Sequence, residues 1–176
     1  MEKLEQSMKT ISILLTRFKD NFGHFVCLMS YSRYSHASIS LDENEEIFYS
    51  FNYKGFVIEK PKKYFPKLRD SMAKLIRLQV TVEVYNKIKS YIEDFSEKKE
   101  ALHYSPLGVI LCLLHIPFKF KNCYFCSQFI SEILSKSGVM KLKKKEYLYR
   151  PCDFLDESLY SNSNSPLEII TLNFGG

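Results

Sequence analysis

The apolar residues of this chain change period near Thr81, and that change constrains its fold more than any other feature. Before it they come in short β-branched or aromatic runs: Ile11 to Thr16, His36 to Leu41, Ile47 to Phe51, Gly55 to Glu59 and Leu75 to Val80. Runs of this length and make-up predict strands. Asp42 to Glu46 is a charged turn whose five polar residues suit an antiparallel hairpin, and Pro61 and Pro66 mark a loop edge. After Thr81, Val84, Tyr85, Ile88, Ile92 and Phe95 recur at helical spacing, with Thr81 as N-cap and Glu83 in the first turn. Leu107 to Ile116 is apolar on every side, which predicts a buried helix opened by Pro106 and closed near Pro117. Cys126 to Ser137 carries the stripe Phe129, Ile130, Ile133 and Leu134, with Gly138 as its terminator. Leu167 to Phe174 returns as a last strand. No repeat or linker interrupts the pattern, so residues 1–176 read as a single α+β domain.

Composition agrees. The chain has 176 residues, 45% apolar and 15% aromatic, which excludes a disordered or low-complexity protein. A net charge of +5 is too mild to predict a nucleic-acid partner. Lys141 to Lys145 is a basic cluster, read as solvated surface, and Glu93, Asp94, Glu97 and Glu100 as the wet side of a helix. Five cysteines at irregular spacing suit a reducing compartment better than a disulfide framework. The first nine residues carry acids and do not resemble a signal peptide, and no apolar run reaches the ~18–20 residues of a membrane span, so a soluble, cytoplasmic protein is expected.

The chemistry-bearing pair is His36 and Cys126. His36 opens a strand in Tyr34-Ser-His-Ala-Ser-Ile-Ser40; Cys126 lies where a loop becomes a helix in Asn122-Cys-Tyr-Phe-Cys-Ser-Gln-Phe129. A thiol at a helix start faces unsatisfied N–H groups and the positive end of the helix dipole, which favour the nucleophilic thiolate. A histidine within reach would accept the proton and return it to a leaving group, and the helix-start amides would hold an oxyanion. Cys27 and Cys112 read as small buried hydrophobes, and His24, His103 and His115 as surface or core histidines without a companion motif. Cys123-x-x-Cys126 lacks the second ligand pair of a zinc site and the βαβ setting of a redox pair. Under oxidation it would form a disulfide that silences the nucleophile.

The order of these motifs resembles the circularly permuted branch of the papain-like cysteine hydrolases, which includes permuted NlpC-type amidases and lecithin:retinol acyltransferase relatives. There the histidine strand precedes the cysteine helix. The matching segments are Tyr34 to Asp42, Phe48 to Phe51, Gly55 to Glu59 and Tyr124 to Leu134, with Leu15-Thr-Arg17 fitting a first strand. They are most similar to a largely uncharacterised bacterial group within that branch. The resemblance implies a central antiparallel sheet packed against the cysteine helix, Cys126 as nucleophile and His36 as base.

Many relatives orient the histidine with a polar residue on the following strand. Here Ser50 aligns at that position, and Asn52 is the other candidate on the same strand face. Serine accepts a hydrogen bond from imidazole but does not balance imidazolium as a carboxylate does. The expected function is therefore a cysteine-dependent hydrolase or acyltransferase acting on an amide, peptide or lipid ester, requiring no metal or organic cofactor. The alternatives are an inactive binding module on the same fold, favoured by the incomplete third position, and a membrane-associated lipid acyltransferase using the Lys141–Lys145 cluster and the apolar helix.

Overall fold

The computed structural model describes residues 8–17, 20–63, 72–160 and 167–173. Eight strands and four helices follow one another as β1 (Met8–Thr16), α1 (Asn21–Met29), β2 (His36–Ser40), β3 (Phe48–Asn52), β4 (Gly55–Glu59), β5 (Met72–Thr81), α2 (Val82–Glu97), β6 (His103–Tyr104), α3 (Pro106–Leu113), β7 (Cys123–Tyr124), α4 (Cys126–Lys136) and β8 (Leu167–Asn173). Six strands form one antiparallel sheet in the order β4-β3-β2-β1-β5-β8. The fold is therefore α+β with a large antiparallel sheet. Pro66, expected at a loop edge, and Phe174, expected to end the last strand, lie outside the described residues.

Strand alternation decides which residues meet the helices. Ile11, Ile13 and Leu15 of β1 pair across to β2 and β5, and with Ala37, Ile39, Ile76 and Leu78 they make the buried floor of the main core. Helix α4 packs on β2 and β3, and α2 on α4, β1 and β5. Between sheet and helices Phe51, Phe56, Phe95, Tyr124 and Phe129 form an aromatic cluster, with ring centroids 4.9 Å apart for Phe95 and Phe129 and 5.4 Å for Phe51 and Phe129. Phe129 is fully buried. Removing a ring of that size from water is worth roughly 1.5–3 kcal/mol, so this cluster clamps the cysteine helix to the sheet. On the other face Leu14, Phe48, Ala73 and Leu75 form a smaller cluster.

Two elements depart from the sequence pattern. Helix α1 follows Asp20, whose carboxylate accepts the Gly23 N–H at 2.6 Å, and no period announces it. Helix α3 is shorter than the expected Leu107–Ile116, and it is not buried all round. Gly108, Val109, Cys112 and Leu113 face inward, while Leu107, Ile110 and Leu114 remain exposed. Its inward side packs in a satellite cluster with Val26 and Phe125, and among the described residues its other side stays exposed.

Candidate active site

Helix α4 begins at Cys126 directly after Phe125, an extended N-cap residue (φ −128°, ψ 166°) that offers no capping oxygen. The first-turn amides around the thiol are thus not satisfied by a side-chain cap, the condition for an oxyanion or thiolate site. The turn is fixed from outside: Ser127 Oγ donates to the Tyr149 carbonyl at 2.6 Å, and the Cys112 thiol approaches the same oxygen at 3.6 Å. One turn on, Ser131 Oγ donates to the Glu146 carbonyl at 2.9 Å. Further along, buried Glu132 is held by Lys119 at 2.8 Å and Lys136 at 2.6 Å.

His36 enters β2 opposite Thr16, and the preceding Ser35 N–H donates to the Thr16 carbonyl at 3.0 Å. His36 is 3% exposed, and its ring lies beside the Cys126 thiol. Its Nε2–H donates to both carboxylate oxygens of Glu59, at 3.0 and 3.1 Å. Burial alone would favour the neutral ring. The Glu59 charge and the hydrogen bonds with Cys126 and Glu59 outweigh it and push the His36 pKa up to about 10.

The structure thus brings Cys126 and His36 together. Ser50 and Asn52 do not supply the orienting group. Ser50 is fully buried and its hydroxyl donates to the Ala37 carbonyl at 2.7 Å, tying β3 to β2. The Asn52 side-chain oxygen accepts the Lys54 N–H at 2.9 Å and shapes the β3–β4 turn, although Asn52 also lines the cleft. The group on the imidazole is Glu59, the last residue of β4 and the one acid between Phe48 and Glu59. Placing an acid at the end of the second strand after the histidine was a usable signal; an alignment to the next strand alone could not find it.

The pair opens on a cavity of about 1110 Å³. Its walls are mainly apolar, with Phe22 and Val26 from α1, Val109 and Leu113 from α3, and Tyr104 and Phe125 beside Cys126. Burial, followed by the nearby Cys126 and Asp20 charges, raises the Tyr104 pKa, so the phenol stays neutral. Arg17, Lys54 and Arg150 add positive charge to the lining. Arg150 Nη2 donates to Asp153 at 3.1 Å, whereas its buried Nε has no partner among the described residues. No sequence signal marked Arg150. Burial pushes the Cys112 thiol up to about 12, in keeping with a small buried hydrophobe. All five cysteines are free thiols. Within the basic cluster, Lys143 pairs with Asp156 at 2.7 Å and Lys144 with Asp153 at 2.5 Å, so these two lysines fasten the segment after α4.

No protein-family profile matches the sequence, and no curated protein matches it significantly. Among solved structures, the chain is similar to the crystal structure of metalloprotein yiiX from Escherichia coli O157:H7, described as DUF1105, at 14% identity and a TM-score of 0.51. The similarity covers 93% of this chain and 96% of that one, so the two share an overall fold from end to end.

Proposed function

We propose that the chain is a cysteine-dependent hydrolase or acyltransferase on a permuted papain-like fold. The observation that carries this reading is the run Cys126–His36–Glu59 at the wall of a large cleft, with the thiol on an uncapped helix start. The Cys126 sulfur would attack a carbonyl carbon of an amide or ester, and the α4 amides would hold the oxyanion. Collapse breaks the bond to the amine or alcohol, which leaves with the proton of the His36 imidazolium. Neutral His36 then takes a proton from water, giving hydrolysis, or from a second nucleophile, giving acyl transfer, and the thioester is cleared. Glu59 fixes the ring and balances its charge throughout. The incomplete third position favoured an inactive binding module; Glu59 on the imidazole supports the catalytic reading instead.

The description of the yiiX structure as a metalloprotein raises a metal centre for this chain as well. Among the described residues no three His, Cys, Asp or Glu side chains are placed to hold an ion, so the residues present do not fit one. No step above passes through a metal.

The test is the pH dependence of Cys126 alkylation by iodoacetamide in wild type and His36→Ala. An unperturbed thiol titrates near ~8.5. Alkylation that stays fast at about pH 6–7 in wild type and slows sharply in the variant supports the pair. Ordinary thiol behaviour in both proteins overturns it.

A further inference from the structure

We propose that the outward faces of α1 and α3 form a docking surface for an anionic lipid bilayer. The inward faces of these helices meet in one cluster, Val26 against Val109, Cys112, Leu113 and Phe125, and line the cleft beside Cys126. Their outward faces are also apolar. On α1 these are Phe25, Leu28 (73% exposed) and Met29; on α3 they are Leu107, Ile110 and Leu114 (54% exposed). The spacing is helical in both, so each helix presents a second apolar stripe left exposed among the described residues. The segment beyond α3 continues the pattern with exposed Ile116 and Phe118, and Tyr31 just past α1 is 98% exposed. Such a concentration of exposed apolar side chains marks an interaction surface.

Charge selects the partner. The chain has 20 Asp and Glu, yet none lies between residues 21 and 41 or between 101 and 131, the two stretches that build this face. The charged residues they do carry are basic; Lys119 is paired with Glu132 at 2.8 Å, while exposed Arg33 and Lys121 carry the charge of this face. The nearest acid before α1, Asp20, caps that helix at Gly23. An acid-free, basic and apolar face complements a lipid surface of negative charge, with Tyr31 and Phe118 at the interfacial level that aromatic rings favour. Among the described residues no helix is long and apolar enough to cross a membrane, so the contact lies on the bilayer. Phe22 in the cleft stacks on exposed Phe25, with ring centroids 6.3 Å apart, so the apolar wall of the cleft runs out to this face. The surface thus sits where a membrane-borne acyl group could pass to the thiol, a use that rests on the proposed catalysis; the docking itself does not.

The test is co-sedimentation of the full chain with vesicles of phosphatidylglycerol or of phosphatidylcholine, at low and high salt. Binding to phosphatidylglycerol vesicles is expected, weakening when salt rises from ~0.05 to ~0.5 M as screening shortens. Leu28→Asp combined with Leu114→Asp should lower it at least about tenfold, because both side chains would enter the interface. Arg33→Glu with Lys121→Glu should weaken binding to the anionic vesicles while leaving phosphatidylcholine binding unchanged. Cys126→Ala should bind like wild type, so failed turnover and failed docking are separate results. The chain contains no Trp, so Leu114→Trp is a unique reporter whose emission should shift blue on phosphatidylglycerol vesicles. Absence of binding, absence of that shift, or binding untouched by the Leu28/Leu114 pair overturns the proposal. A dimer in light scattering that this pair dissolves also overturns it, by assigning the face to a second copy.

Discussion

A carboxylate behind an imidazole holds the ring in one orientation and balances the charge it takes up, whereas a hydroxyl does only the first. Glu59 is that carboxylate, so Glu59→Gln should lower the His36 pKa from about 10 toward its ordinary value, as read by NMR titration of the imidazole. It should also slow any turnover by roughly 10²–10⁴-fold, the range for losing proton-transfer assistance. Ser50→Ala should leave that titration in place and instead cost about 1–2 kcal/mol in urea unfolding, because the buried Ala37 carbonyl loses a donor. If Ser50→Ala moves the His36 titration as far as Glu59→Gln does, the assignment is wrong. The pair also links stability to pH. The folded His36 pKa lies above its unfolded value, so its contribution is complete below about pH 6.5 and is lost as pH rises through about 10. The unfolding midpoints of wild type and Glu59→Gln should therefore converge between those limits. At this scale the proposed nucleophile and base, Cys126 and His36, stood out in the sequence because each carries its own local context, a helix start and a strand start. Glu59 acts across two strands, so its mark in the sequence is its place as the one acid of the β3–β4 hairpin rather than any spacing from His36.

Elements were legible where one period runs long enough to face one partner. Helix α2 shows this, with Ile88, Ile92 and Phe95 buried and Thr81 capping as its spacing implied. Helix α1 was not, because Phe22, Phe25, Val26, Leu28 and Met29 leave no polar side to set a phase, and a glycine lies within it. Strands β6 and β7 are two residues each and exist through their parallel pairing, His103 with Cys123 and Tyr104 with Tyr124. Their role is positional: they bring the start of α3 beside the start of α4, and Ser105 N–H donates to the Tyr124 carbonyl at 2.9 Å. Ser105 then caps α3, its hydroxyl accepting the Gly108 N–H at 3.0 Å. A Cβ at Gly108 would lie 2.6 Å from that hydroxyl and 3.1 Å from the Ser105 Cβ. Gly108→Ala should therefore displace the cap and destabilise the fold by about 1–3 kcal/mol in thermal unfolding. A change under ~0.5 kcal/mol would mean that the cap contributes little at this helix start.

At the scale of the whole molecule, the fold places the proposed catalytic pair on the wall of a space far larger than the pair needs. A cavity of about 1110 Å³ walled by Phe22, Val26, Val109, Leu113 and Phe125 exceeds what a small polar amide would fill. Substrate that fills such a wall gains about 0.8 kcal/mol for each methylene it removes from water. That gain raises the specificity constant only where the chain is held while the carbonyl meets the thiol. Under the proposed reaction, p-nitrophenyl octanoate should be cleaved at least about tenfold more efficiently than the acetate, as kcat/KM, since the upper bound from six buried methylenes is far greater. Val109→Phe, which projects a ring into the space from α3, should erase that preference by penalising the long ester while sparing the acetate. Iodoacetamide labelling of Cys126 should be unaffected, because the reagent is too small to need the distal wall. An acetate preference in the wild type would show that the apolar space does not seat the acyl group. The leaving-group side of the substrate would then have to occupy it, and the same Val109→Phe variant would depress amides and esters with bulky leaving groups instead.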